Sequence, residues 1–170
     1  MTKGKPLDDR MQSAINSQIN AELYSAYLYL AMSAWFDSRD LPGMCGWMKL
    51  QASEEVEHAM KLFDYLCERG GRVALDAIEK PVGEWESPLA AFEAAYEHEL
   101  HVTSLIHGLV DLAMELNDHA TRSMLSWFVD EQVEEESAAD SIVQKLRMID
   151  SPRGGMLLMI DRELGKREAH

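Results

Sequence analysis

Apolar side chains recur at steps of three and four residues along four long segments of the chain, a pattern that predicts amphipathic α-helices. The segments span about residues 7–36 (segment A), 44–70 (segment B), 88–116 (segment C) and 119–149 (segment D). Helices of this length reach about 40–45 Å. Four of them predict an all-α fold, a four-helix bundle formed as one domain by residues 1–170.

The connections between the segments indicate how the helices run. Leu41-Pro42-Gly43 and Asn117-Asp118 are short breaks, so A–B and C–D should be antiparallel pairs. The stretch from Gly70 to Ser87 has no helical period and is long enough to run the length of the bundle. We therefore expect B and C to be parallel, joined by one long crossover. Ser87-Pro88 predicts an N-cap followed by proline at the first helical position.

A short fifth helix is predicted at about residues 155–165. Its Met156-Leu-Leu-Met-Ile160 stretch is apolar on every side, and one bundle cannot surround such a helix. We expect it to be buried among neighbouring subunits; folding back onto its own bundle is the alternative.

Each of the four long stripes is interrupted by polar groups at positions that should face the core. Charged groups are almost never buried unless they are paired or bound to metal. Four interrupted stripes therefore predict one shared buried site. The interrupting residues are Glu22, Glu55, His58, Glu99, Gln132 and Glu135.

The residue types at this predicted site favour iron. Glu55 and His58 are three apart and share one helix face, and Gln132 and Glu135 repeat that spacing. Carboxylates with one imidazole, meeting inside a bundle, are typical of a carboxylate-bridged pair of iron ions. A solvated acidic face is the alternative, but it would leave several acids unpaired in the core.

Four further residues are candidates beside this centre. Tyr29 lies two turns after Glu22 and could hydrogen-bond a site carboxylate or supply an electron, although a core tyrosine has the same spacing. Glu54, Glu131 and Glu134 each precede a centre residue by one position. They could form a weaker adjoining metal site that shares Glu135, or a wet acidic surface. The remaining histidines, His98, His101, His107, His119 and His170, are expected at the surface.

Charge and cysteine usage narrow the possible partners. The net charge of −14 argues against nucleic acid or an anionic membrane and suits cations. No apolar run approaches the ~20 residues that a membrane span needs, and no apolar signal core is present near the N-terminus. Cys45 and Cys67 would lie roughly 33 Å apart on one helix, too far for a disulfide. We therefore expect free thiols and a cytoplasmic protein.

Several stretches of the chain resemble the prokaryotic non-haem ferritins, and together they extend over nearly its whole length. They are Asn20-Ala-Glu-Leu-Tyr24, Glu54-Glu-Val-Glu-His58, Leu62-Phe-Asp-Tyr65, Tyr96-Glu-His-Glu99 and Trp127-Phe-Val-Asp-Glu-Gln-Val-Glu-Glu-Glu136. The resemblance implies an iron-storage ferritin with a ferritin-like fold and ferroxidase activity. Such proteins oxidise Fe(II) with O2 or H2O2 and store a hydrous ferric oxide inside a hollow homo-oligomeric shell of 24 subunits.

The resemblance also implies roles for individual residues. Glu22, Glu55 and His58 match a first iron site. Glu55, Glu99 and Glu135 match a second, with Gln132 nearby and Tyr29 as the site tyrosine. Glu54, Glu131, Glu134 and Glu135 match a third iron site.

Related families fit less well. Bacterioferritins carry a second Glu-x-x-His, where this chain has Glu135, and a haem-ligating methionine where this chain has Val56. Haem is therefore not supported, although another methionine could serve. A haem-containing bacterioferritin-like store and a di-iron oxygenase of the same fold remain as alternatives, as does a purely structural helical assembly protein.

Overall fold

The computed structural model describes residues 6–149 and 154–169, and these form five helices without any strand. The helices are α1 (Asp9–Asp37), α2 (Pro42–Glu68), α3 (Pro88–Glu115), α4 (His119–Arg147) and α5 (Gly155–Leu164). None of them is long and apolar enough to cross a membrane. The all-α prediction is confirmed. Ser151-Pro152, where the sequence predicts the end of segment D, and His170 lie outside the described residues.

The start of α2 differs from the expected one. Pro42 was assigned to the break before the helix, whereas the structure places it in the first turn. Proline is tolerated there because the first N–H groups of a helix have no partner inside it. The predicted cap at Ser87 is confirmed, since its hydroxyl accepts a 3.0 Å hydrogen bond from the N–H of Ala90.

The long link between α2 and α3 runs beside α1 in the same direction. Its backbone N–H at Arg72 donates to Gln12 (2.9 Å), and its carbonyl at Ala77 accepts from Asn20 (3.2 Å). Farther along, Trp85 meets Trp35 with ring centroids 6.0 Å apart. The link therefore begins beside the start of α1, where α2 ends, and reaches the other end of the bundle before α3 begins. Helices α2 and α3 consequently start at the same end and run parallel. This arrangement is the predicted single crossover.

The core consists of two hydrophobic clusters. One includes Phe36, Trp47 and Phe92, and the other is built around Ile15, Leu66 and similar side chains. Glu22, Glu55, Glu99 and Glu135 belong to neither cluster, although they are buried on the same helix stripes. The buried polar groups thus form a layer between two apolar regions.

Helix α5 packs against α2 within the same chain. The buried carboxylate of Asp161 accepts hydrogen bonds from the N–H groups of Gly43 (3.1 Å) and Met44 (2.8 Å). It thereby caps α2, whose own N-cap residue has no side-chain hydrogen bond. The folded-back alternative describes these contacts, yet Met159 is 70% exposed and apolar side chains remain on the outer face of α5.

Candidate metal centre

The six predicted centre residues lie in the middle of the bundle and come from all four long helices. None exposes more than 6% of its surface. Helix α1 supplies Glu22, α2 supplies Glu55 and His58, α3 supplies Glu99, and α4 supplies Gln132 and Glu135. The periodicity therefore identified positions that the fold brings to one place.

Two sets of three possible ligands occur in this centre. One is Glu22, Glu55 and His58, and the other is Glu55, Glu99 and Glu135. In each set, one ligand atom from every residue lies within 4.8 Å of the others. His58 Nδ1 is 3.5 Å from Glu55 Oε2. The two sets share Glu55, which is the arrangement that a carboxylate between two cations requires.

Buried amide side chains hold the carboxylates by one oxygen each. Gln18 Nε2 donates to Glu22 Oε1 (3.0 Å), and Gln51 Nε2 donates to Glu135 Oε2 (2.8 Å). Among the described residues, Glu22 Oε2 has no hydrogen-bond partner. A buried carboxylate oxygen without a donor is expensive unless a cation approaches it.

The two amides Gln18 and Gln51 were not assigned to the site from the sequence. Gln51 lies one turn before Glu55 on the predicted stripe, and Gln18 lies one turn before Glu22. A search for donors four residues before each acid would have found both of them, because residues at that spacing share a helix face.

Gln132 donates hydrogen bonds to two side chains of α3. Its amide nitrogen is 3.1 Å from Glu99 Oε2 and 3.2 Å from Thr103 Oγ1. Its predicted role beside the metals stays a prediction. The observed contacts show that it fixes the orientation of Glu99.

Tyr29 is fully buried and donates a hydrogen bond to Glu99 Oε1. Of the two interpretations left open by the spacing, the structure therefore favours contact with a site carboxylate. Burial, followed by the nearby negative charge of Glu99 and Glu55, raises the pKa of Tyr29 well above its usual value. The phenol consequently keeps its proton at neutral pH.

Three of the acids in the centre resist ionisation when no cation is bound. Burial raises the pKa of Glu55 well above its usual value, and Glu22 and Glu99 add to the effect. Burial also raises the pKa of Glu99 and of Glu135 to about 7. Within residues 6–149 and 154–169, no lysine or arginine forms an ion pair with these four acids.

A second group of acids opens toward solvent beside His58. His58 Nε2 lies 3.9 Å from Glu131 Oε1, and these two residues form a third possible ligand set with Glu135. Glu54 and Glu134 line the same open cavity of about 450 Å³. Glu134 is exposed, whereas Glu54 is partly buried. The group is thus wetter than the centre.

The expectation for His98 was wrong. His98 is partly buried, with its Nε2 2.7 Å from Ser25 Oγ and its ring packed near Tyr24 and Tyr29. Burial lowers the pKa of His98 to about 4. The small Ser25 side chain lets the imidazole enter between α1 and α3, which a stripe on α3 alone does not reveal.

The other histidines follow the expectation where the structure describes them. His101, His107 and His119 are exposed. The expected free thiols are also observed, because Cys45 is a buried free cysteine and Cys67 an exposed one, both on α2.

Comparison with known proteins agrees with this geometry. The sequence model of the ferritin family, described as a ferritin-like domain, matches residues 12–149 of this chain. The chain belongs to the ferritin family. It is 42% identical to a bacterial non-heme ferritin from Bacteroides fragilis, over 95% of this chain and 99% of that one. It is 40% identical to a probable bacterial non-heme ferritin-like protein from Haemophilus influenzae, over 94% and 96% of the two chains.

A solved structure allows the fold of this ferritin to be compared with that of a relative. It is an open pore ferritin from the hyperthermophilic archaeon Archaeoglobus fulgidus, 54% identical to this chain. The two superpose with a TM-score of 0.94, covering 95% of this chain and 98% of that one. The resemblance seen in the sequence is therefore confirmed as membership of the ferritins, with non-heme proteins among the relatives.

Proposed function

We propose that this ferritin stores iron by oxidising Fe(II) to Fe(III) at the buried centre of each subunit. The observation that carries the proposal is the pair of ligand sets that share Glu55, whose acids form no ion pair with a lysine or arginine of the described residues. Fe(II) is the substrate, and O2 or H2O2 is the electron acceptor. The proposed residues are Glu22, Glu55, His58, Glu99, Gln132 and Glu135, with Tyr29 beside them.

The charge of the centre fits two divalent ions. Four carboxylates, from Glu22, Glu55, Glu99 and Glu135, would balance two ferrous ions. Oxidation adds one positive charge to each ion, so the ferric product is no longer balanced by the same acids. Departure of the product as a hydrated oxide relieves that imbalance, and the acids can then bind new Fe(II).

Tyr29 supports the centre by fixing Glu99. Its phenol holds one oxygen of that carboxylate, and its raised pKa keeps the hydrogen bond in place at neutral pH. In the proposed reaction the same phenol can supply one electron to the O2 or H2O2 that is being reduced, while its proton passes to Glu99 Oε1, and a later Fe(II) returns the electron to the phenoxyl radical. The apolar clusters on either side keep bulk water away.

The wetter acids form a third iron position in this proposal. Glu54, Glu131 and Glu134, with Glu135 shared, lie between the centre and open solvent. Because these acids are more exposed, they should bind ions more weakly and exchange them faster than the centre does. Both properties suit ions in transit. The expected product is a hydrous ferric oxide mineral in a hollow shell.

Assembly into a homo-oligomer, a cage of 24 subunits, completes the proposal. Met156, Leu158 and Met159 on α5, and Tyr27 and Leu30 on α1, are large apolar side chains that a single chain leaves exposed. Exposed apolar surface of this kind is typical of subunit interfaces. Native mass spectrometry measures the subunit number, and a monomer at physiological concentration would contradict this part.

The activity is tested by aerobic oxidation after adding two Fe(II) per subunit. Glu55→Ala and His58→Ala should abolish the fast phase while the oligomer still assembles. Glu68→Ala is the control, since Glu68 is an exposed acid on the same helix. Fast oxidation in both centre variants would contradict the proposed function.

Iron loading separates this function from its alternatives. A store takes up many ions per subunit, an oxygenase only the ions of its centre, and a scaffold none. The proposed reaction does not involve haem, and Val56, which stands at the position of the haem-ligating methionine of bacterioferritins, is exposed on α2. A haem absorption band in protein produced with excess haem precursor would favour the bacterioferritin-like alternative.

A further inference from the structure

Arg167 reaches from the end of α5 to one of the acids beside the centre. Its Nη2 lies 2.7 Å from Glu54 Oε2, and its Nη1 is 3.4 Å from the carbonyl oxygen of Trp47. The guanidinium carbon lies 4.6 Å from the centroid of the Trp47 ring. The arginine and glutamate side chains are only 19% and 17% exposed, so this pair is not a loose surface contact.

The backbone that carries Arg167 is held in place by close packing. The N–H of Arg167 donates to Leu164 (3.2 Å), the last residue of α5, which is buried. A Cβ added to Gly165 would lie 3.1 Å from the Cα of Gly43. Together with the Asp161 cap on α2, these contacts aim the guanidinium at Glu54.

Glu54 belongs to the electrostatic environment of the centre. It lies on the same helix as Glu55, lines the cavity that also reaches His58 and Glu131, and its negative charge contributes to the raised pKa of Glu135. A cation at Glu54 would therefore be close to both His58 and Glu135.

We propose that Arg167 is a positioning residue that competes with cations for Glu54 and so weakens the outer metal site. The guanidinium has no lone pair for a metal, occupies Oε2 of Glu54, and adds a positive charge beside the cavity. An arriving cation must therefore displace Arg167 from Glu54. This inference rests on the proposed outer position at Glu54, Glu131, Glu134 and Glu135.

Such competition gives the outer site a definite task. A site that binds too tightly would retain ions in transit, whereas one opposed by a competing guanidinium releases them. Because the arginine side chain can swing away on its long stem while its backbone stays fixed, the opposition is reversible. The outer site then favours passage over storage.

The test is calorimetric titration of the metal-free oligomer with Zn(II), which is redox-inert. Glu54→Gln in the otherwise natural chain identifies the weaker class of sites by removing it. Arg167→Gln should tighten that class about tenfold, as expected for removing one unit charge near a divalent ion at a partly exposed site. Affinity at the tighter, central class should stay unchanged.

Two further variants separate the ion pair from other effects. Arg167→Lys keeps the charge and should stay close to the natural affinity. Arg162→Gln removes the same charge from an exposed arginine of α5 and should leave both classes unchanged. Unchanged or weaker Zn(II) binding in Arg167→Gln would overturn the inference, as would an equal gain in Arg162→Gln.

Crystals of the natural protein soaked in Zn(II) give an independent readout that does not need a variant to fold. Occupation of the outer site should coincide with movement of Arg167 away from Glu54. A retained ion pair in the occupied state would overturn the inference. In the titration of the natural protein, absence of the weaker class of sites would overturn both the outer site and the role of Arg167. Absence of only the tighter class would contradict the two-ion centre alone.

Discussion

Gln51 on α2 donates a 2.8 Å hydrogen bond to Glu135 Oε2 on α4, across the middle of the bundle. The contact holds one oxygen of Glu135, so the other can join the ligand set with Glu55 and Glu99. Side chains that orient metal ligands in this way commonly affect affinity by about 10–100-fold. Gln51 is therefore the clearest supporting residue of the centre.

Replacing Gln51 by methionine should lower Zn(II) affinity at the centre by about tenfold, because Glu135 loses its orienting donor while side-chain volume is kept. Titration of the metal-free protein measures this effect. Gln144→Met, at an exposed position of α4, is the matched control. An affinity equal to that of the natural protein would show that Gln51 is only a packing residue.

Stability of the metal-free protein should fall as pH rises from about 5 to 8. The pKa values of Glu99 and Glu135 are raised from 4.5 to about 7 in the folded state. The folded protein then binds more protons than the unfolded chain between these values, so stability is fully present below the unfolded pKa and is lost as pH rises through the folded pKa. The expected loss is on the order of a few kcal/mol.

Thermal unfolding across this pH range measures the effect. Glu99→Gln should flatten part of the slope, because the amide cannot ionise. Bound Zn(II) should reverse the sign, since a cation favours the ionised acids and binds more tightly at pH 8 than at pH 5. A metal-free protein whose stability rises steadily over the same range would contradict the raised pKa values.

Removing the phenol of Tyr29 should affect both folding and chemistry. Tyr29→Phe leaves Glu99 without one hydrogen bond, which costs about 1–2 kcal/mol in the metal-free protein. The fast phase of Fe(II) oxidation should also slow, because Glu99 is less firmly oriented. Tyr24→Phe is the control, since Tyr24 is a partly buried neighbour on the same helix. Equal effects in the two variants would exclude a specific role for Tyr29.

The contact between α2 and α5 can be tested with a pair of glycines. A Cβ added to Gly43 would overlap the carbonyl oxygen of Asp161, whereas one added to Gly46 would meet nothing within 4 Å. Gly43→Ala should therefore displace α5 and cost at least about 2 kcal/mol. Gly46→Ala should be neutral or stabilising by up to about 1 kcal/mol, because alanine favours helix.

Thermal unfolding and native mass spectrometry give the two readouts for this glycine pair. The Gly43→Ala variant should also assemble less completely, since α5 carries exposed apolar side chains. Indistinguishable stability in the two variants would contradict the close packing of α5 on α2.

The stripes predicted which polar side chains are buried together in the middle of the bundle, because the apolar period of each helix marks its own buried face. Glu22 and Glu55 stood out as acids among apolar neighbours, and their burial follows from the same period as that of Ile15 or Phe128. Information of this kind is local to one helix. It can therefore be read from the sequence before the packing of the helices is known.

Other features depend on contacts between elements and could not be predicted in the same way. His98 is buried because Ser25 on another helix leaves room for it. The pairing of Arg167 with Glu54 depends on where α5 docks, which no period in either segment encodes. The predicted start of α2 was wrong at Pro42, because proline occurs both in breaks between helices and in the first turn of a helix.

The sharing of Glu55 between two ligand sets would make the two proposed cation positions thermodynamically dependent. The first cation to arrive bears the cost of removing the proton from this buried acid, and the second finds it already ionised. This effect favours the second cation relative to the first, and it grows as pH falls because more of the Glu55 side chains start protonated. Paired occupancy matters for an oxidation that draws one electron from each of two ions, because a half-filled centre would deliver only one.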